Sequence, residues 1–118
     1  MNVRKKSVNE QGKLSAYCLS DVTECIKKCR YSIKPDARRD AFQLFGWGED
    51  DIIFIYNKLR THNFLNTNLS RYKPGVFIDA YIIQIRQENI YTHFYIENGY
   101  LVINSFHQDD NFMGRSIL

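Results

Sequence analysis

Side chains able to move protons crowd one stretch of this 118-residue chain. Between Asn89 and His107 lie two of its three histidines, His93 and His107, together with Tyr91, Tyr95, Tyr100, Asn104 and Ser105. The stretch reads as two β-rich runs joined by Glu97-Asn98-Gly99, a hairpin signal because Asn and Gly tolerate positive φ. Two imidazoles within reach of one phosphodiester suit general acid–base cleavage of RNA. One takes the proton of the 2′-OH, the other protonates the leaving 5′-oxygen, and no metal is needed. Against this stands the commoner fate of an arbitrary histidine pair, surface or hydrogen-bonded positions in a sheet.

Hairpin register decides whether the two rings meet. A three-residue loop pairs Tyr91 with Ser105 and sets Tyr91, His93, Ser105 and His107 on one face. A two-residue Asn98-Gly99 turn pairs His93 with Asn104 and sends His107 to the other face. The second register groups Phe94, Ile96, Leu101 and Ile103 as a clean core face. A β-bulge after Ile103 would reconcile core and site, and bulges are common beside active sites.

Cations for a phosphate backbone are available in Arg71-Tyr72-Lys73 and Lys58-Leu59-Arg60, with Tyr72, Tyr91 or Tyr95 to stack on bases. Taken alone, such charges usually form only a solvated face. Asp79 alternates with apolar neighbours and would either orient a histidine or face solvent. His62 falls at a helix end, where a C-terminal cap is its ordinary role, and it stays outside the site.

The elements that must position these groups are legible in outline. Residues 1–13 are polar and basic and read as a flexible tail. Ser20 offers an N-cap, and Val22, Cys25, Ile26 and Cys29 follow at helical spacing over 20–30. Tyr31-Ser32-Ile33 is a connector or short strand. Pro35-Asp36 opens a second helix with Ala37, Ala41, Leu44 and Phe45 in register, stopped by Gly46-Trp47-Gly48. A third helix follows, acidic at its start through Glu49, Asp50 and Asp51, with Ile52, Ile55, Tyr56 and Leu59 as its stripe. Phe64 to Thr67 then reads as a short strand, and 68–75 as a loop. Val76 to Arg86 is a long strand, turned by Gln87-Glu88-Asn89 into the final hairpin. Helices first and strands last predict one α+β domain over 14–108, an antiparallel meander with helices on one face, and a loose tail over 109–118.

Composition narrows the class further. A net charge of +3 tolerates an anionic partner without demanding one. No apolar run approaches the ~20 residues of a membrane span, and no apolar segment follows Arg4, Lys5 and Lys6 as a secretory signal would require, so the expected location is the cytoplasm. Cys18, Cys25 and Cys29 are odd in number, which argues for reduced thiols. With Cys25 and Cys29 on the apolar stripe and no second cluster, they read as buried structural thiols rather than metal ligands.

Taken whole, the stretch from the helix around Asp21 to His107 resembles the MqsR-type toxins of bacterial toxin–antitoxin modules, small RNases with a RelE-like fold. The Leu44-Phe45-Gly46-Trp47 break resembles that between the family's paired middle helices. Phe64-Leu65-Asn66-Thr67 falls where the family has Phe-Tyr-Lys-Ser, and Phe77-Ile78-Asp79-Ala80-Tyr81 where it has Trp-Gln-Asp-Val-Tyr. Ile90-Tyr91-Thr92-His93 resembles its Val-Tyr-Leu-Lys, and Ser105-Phe106-His107 its closing Ser-Phe-Lys. The resemblance puts the family's catalytic tyrosine on Tyr91 and its C-terminal catalytic lysine on His107. Its other implicated lysine and glutamine fall on Asn66 and Ile78, which cannot do the same work, while lysine becomes histidine at His93 and His107. The implied activity is that of a metal-independent endoribonuclease, an mRNA interferase without cofactor, neutralised by a cognate antitoxin. His93, His107 and Tyr91 would be catalytic. Arg71, Lys73, Asn66, Tyr95 and Ser105 would hold RNA. The alternative is a non-enzymatic module that binds RNA or protein through the same face. Only the catalytic reading requires Tyr91, His93 and His107 on one face.

Overall fold

The computed structural model describes residues 7–8 and 14–109. Helix α1 (Leu19–Lys27) starts at Cys18, whose carbonyl accepts from the amides of Asp21 and Val22, so Ser20 lies inside the first turn rather than capping it. Val22 and Cys25 are buried, and the Cys25 thiol donates to the Gly99 carbonyl at 3.4 Å, which ties the helix to the final hairpin. Cys29, expected to be buried, is exposed, because the chain leaves the helix there with φ 56°. Helix α2 (Pro35–Phe45) has Pro at its start and ends at Gly46 with φ 71°, a left-handed stop that glycine takes without strain. Its buried face is Ala37 and Ala41, small enough to bring the helix close to the sheet, whereas Leu44 points outward and is 51% exposed. Helix α3 (Glu49–Tyr56) is capped by Asp51, which accepts from the Gly48 amide at 3.0 Å. Ile52, Ile55, Tyr56 and, beyond the helix, Leu59 are all buried, as their spacing predicts.

Two-residue strands β1 (Ser7–Val8) and β2 (Leu14–Ser15) pair with each other, so the basic N-terminal segment includes an ordered pairing. The rest of 1–13 lies outside the described residues. The main sheet is built from β3 (Tyr31–Ile33), β4 (Phe64–Leu69), β5 (Phe77–Ile85), β6 (Glu88–Glu97) and β7 (Tyr100–Gln108), in the order β3-β7-β6-β5-β4. β4 to β7 form the expected antiparallel meander. β3, however, pairs parallel with β7, Tyr31 opposite Leu101, so the sheet is mixed. A parallel neighbour needs a long crossover, and here α2, α3 and three strands supply it. The β5–β6 turn falls on Arg86 and Gln87, both at positive φ, and Glu88 and Asn89 already belong to β6.

One face of the sheet carries Tyr81, Phe94, Leu101, Ile103 and Phe106 into the core under the helices. Phe94 is its centre, with ring centroids of Tyr17, Tyr56 and Tyr81 at 6.1, 5.7 and 5.7 Å. Among the described residues no helix is long and apolar enough to cross a membrane. Asp109, assigned from sequence to the loose tail, is buried, and its amide donates to the Asn89 carbonyl at 2.7 Å, which extends the domain by one residue.

Asp79 neither orients a histidine nor faces solvent. It is fully buried on the core face, and its two carboxylate oxygens accept from the amides of Ala16 and Tyr17 at 3.0 and 2.9 Å. The carboxylate therefore pins the segment entering α1 onto β5. Asp79→Ala would strand two buried N–H groups and is expected to cost about 3 kcal/mol in urea unfolding.

Candidate functional site

The face of the sheet opposite the helices is organised by one extra residue. Asn98 and Gly99, at φ 54° and 78°, make a two-residue turn that pairs Glu97 with Tyr100. Pairing runs regularly to Phe94 opposite Ile103, after which His93 faces Ser105 and Asn104 has no counterpart. Asn104 is thus a β-bulge. The turn is the two-residue one, yet Tyr91, His93, Ser105 and His107 share the open face, because the bulge shifts the alternation after Ile103.

A buried hydroxyl chain supports the bulge from beneath. Thr92 Oγ1 lies 2.6 Å from the Ser105 carbonyl and 2.5 Å from the Tyr56 hydroxyl. A carbonyl only accepts, so Thr92 spends its single proton there and Tyr56 must donate to Thr92. Burial pushes the ionisation of Tyr56 far above the ordinary range, so it remains a donor. Thr92→Val is expected to lose about 2 kcal/mol, since it leaves a buried phenol and a buried carbonyl without this partner. Hydrogen exchange should become faster in β7 around Ser105 than in β5.

On the open face the three rings form one unit. The Tyr91 ring stacks on His107, centroids 5.1 Å apart at 21°, and meets His93 edge-on at 5.6 Å. The Tyr91 hydroxyl lies 3.1 Å from His93 Nδ1, and Asn104 places its amide nitrogen 3.3 Å from His93 Nε2. An amide NH₂ only donates, so Nε2 of neutral His93 accepts and Nδ1 carries the proton, which it donates to the Tyr91 oxygen. Burial, and secondarily the charge of His107, pull the His93 pKa below its ordinary value. At neutral pH His93 is therefore an unprotonated base with its lone pair on a fixed atom. His107 Nδ1 donates to the Gln108 carbonyl at 2.8 Å, which leaves Nε2 as its outward atom.

Beside these rings runs a groove of about 590 Å³, lined by Asn66, Asn68, Arg71, Tyr72, Ile78, Ala80, Tyr91, His93 and Asn104 with Leu69 at its rim. Its floor is Ala80, paired with Asn66 on one side and His93 on the other; the small side chain opens the space between them. Arg71 is the charged group in this lining and no carboxylate joins it. Among the described residues no three His, Cys, Asp or Glu side chains converge.

The sequence-derived set is thus gathered in part. Asn66, Arg71, Tyr91 and His93 line the groove, and Ser105 and His107 flank them on β7. Lys73 and Tyr95 do not join. The Lys73 ammonium is tied to Glu97 at 3.0 Å, a bond that raises its pKa, and it sits 5.7 Å over the ring of Tyr95. Tyr95 is itself buried, so it offers no open platform for a base. Both line a neighbouring depression instead. His62 lies apart from the groove, beside Arg60. By sequence Asn104 is singled out in the hairpin stretch but given no catalytic or RNA-binding role, and Ala80 is not named for the site at all. The signal for Asn104 was the core spacing Leu101, Ile103, Phe106, which breaks the period of two where the bulge sits.

Compared with protein-family models and with curated proteins, the chain matches none of either.

Proposed function

We propose that this protein is a metal-independent endoribonuclease that cleaves by attack of the 2′-OH on the adjacent phosphate. The observation that carries the reading is the placement of Tyr91 on the open face in contact with both His93 and His107, beside a groove whose charged group is Arg71. In a bound RNA, the 2′-OH takes up the His93 Nε2 lone pair that now faces Asn104, and His93 removes its proton. The oxygen attacks phosphorus, the bond to the 5′-oxygen breaks, and protonated His107 gives that oxygen a proton from Nε2. The products are a 2′,3′-cyclic phosphate and a 5′-hydroxyl. Arg71 balances the charge that develops on the phosphate, and Tyr91 holds His93 in one tautomer.

The α+β order and the residues at Tyr91 and His107 support placing this nuclease with the RelE-like, MqsR-type toxins, acting on cytoplasmic mRNA and restrained by an antitoxin protein. Exchange of that family's lysines for histidines suits acid–base work near neutral pH. The role assignment is tested with an oligonucleotide that carries a single 2′-deoxy residue at a mapped cut. Cleavage there should vanish while neighbouring cuts persist; continued cleavage at the deoxy position would exclude 2′-OH attack.

A further inference from the structure

Tyr72 stands 89% exposed at the tip of the β4–β5 loop, although the loop that carries it is well fixed. The Ser70 hydroxyl accepts from the amides of Tyr72 and Lys73 at 3.1 and 3.0 Å, and the Ser70 amide donates to the Val76 carbonyl at 2.8 Å. Gly75, at φ 79°, closes the turn, and the Lys73–Glu97 ion pair ties the loop to β6. A rigid loop thus displays an aromatic face to solvent, a placement that forgoes the stabilisation burial would give.

That face divides two hollows. One is the groove beside His93. The other, of about 350 Å³, is lined by Lys34, Asp36, Tyr72, Lys73, Tyr95 and Asn104, together with Pro35 and Ser70. Tyr72 and Asn104 belong to both. The second hollow mixes donors (Lys34, Asn104) with an acceptor (the Asp36 carboxylate) against the Tyr95 wall, and its Lys73 is already paired. The Asp36 carboxylate is itself paired with Arg39 at 3.1 Å, and mixed donors and acceptors beside an aromatic face suit the edge of a nucleobase.

We propose that this second hollow is a nucleobase subsite, with Tyr72 as its stacking platform, for the nucleotide on the 5′ side of the cut. The inference rests on the nuclease reading and deepens it. Along β6 the order is Tyr95, His93, Tyr91, and His107 lies opposite Tyr91, so the hollow sits on the side of His93 away from His107. His93 takes the proton of the 2′-OH, which belongs to the 5′ nucleotide, so the base of that same nucleotide reaches Tyr72. The nucleotide that carries the leaving oxygen lies toward His107. Stacking in such a hollow needs an unpaired base, so the substrate is single-stranded at that position.

Cut sites in a long RNA should be sequenced for wild type, Tyr72→Ala and Tyr72→Phe, and affinities measured for a 2′-O-methyl hexanucleotide pool that cannot be cut. Tyr72→Ala should weaken binding by about tenfold or more and flatten the preference for the nucleotide 5′ of the cut while leaving the 3′ preference unchanged. Tyr72→Phe should keep both. Wild-type binding and cleavage with an unaltered profile in Tyr72→Ala would overturn the subsite and leave the nuclease reading standing. Wild-type protein that neither binds the pool nor cuts RNA would overturn both.

Discussion

His107→Ala is expected to slow RNA cleavage by about 10²–10⁴-fold, the range in which a positioned acid or base contributes. The fold should hardly respond. His107 is partly exposed on the open face, its loss removes one stacking contact with Tyr91, and the cost is about 1 kcal/mol. The shape of the remaining pH profile is the sharper result. In the wild type, kcat/KM should fall on the acid side as His93 becomes protonated. Burial and the charge of His107 both lower the His93 pKa, so the acid limb lies below the ordinary imidazole value. Removing His107 removes one of these two influences. The acid limb of the residual activity should therefore move to higher pH. An acid limb that stays in place, with activity near wild type, would mean that the two rings do not act together.

Deletion of Asn104 should separate folding from cleavage. In the bulged strand Ile103 faces the core, Asn104 is the extra residue, Ser105 faces out and Phe106 faces in. Without Asn104 the strand alternates regularly, with Phe106 still in the core and His107 still opposite Tyr91. The core thus has no need of the bulge, and thermal unfolding should remain cooperative. What disappears is the amide that faces His93 Nε2, along with the local twist that the bulge imposes. Small displacements of a reacting group are enough to cost about 10²-fold in rate, and that loss is expected here. Asn104→Ala, which keeps the bulge, should lose less, and Asn104→Gln should recover part of the difference. Asn104 is a positioning residue in this scheme, so its variants should also shift the acid limb set by His93, which a merely structural role would not do.

Much of the fold was legible because its signals are local. The Ile52, Ile55, Tyr56, Leu59 stripe and the Pro35 and Gly46 boundaries of α2 follow from period and from backbone preference at single residues. The parallel pairing of β3 was not legible, since three residues carry no sign of the strand, far along the chain, that they will join. Asp79 was misread for a related reason. An acid between apolar neighbours looks outward-facing, and its true partners are backbone amides of residues distant in sequence, which leave no mark in the pattern. On the open face, His93 and His107 could be named from residue type and Tyr91 from the family resemblance, and a bulge after Ile103 was one of the registers left open. Lys73 and Tyr95 lie outside the groove because Glu97 ends β6 within reach of the loop lysine and the loop then covers the tyrosine; both line the second hollow instead.

The most direct test is to incubate purified protein with a long RNA in excess EDTA, with and without ribosomes, beside His93→Ala and His107→Ala variants, and to map the ends of every fragment. The two-histidine mechanism requires cleavage that survives chelation, leaves 2′,3′-cyclic phosphates and 5′-hydroxyls, and collapses in both variants. RNA left intact by folded wild-type protein under both conditions would contradict it, and would make the open face a binding surface rather than an active site.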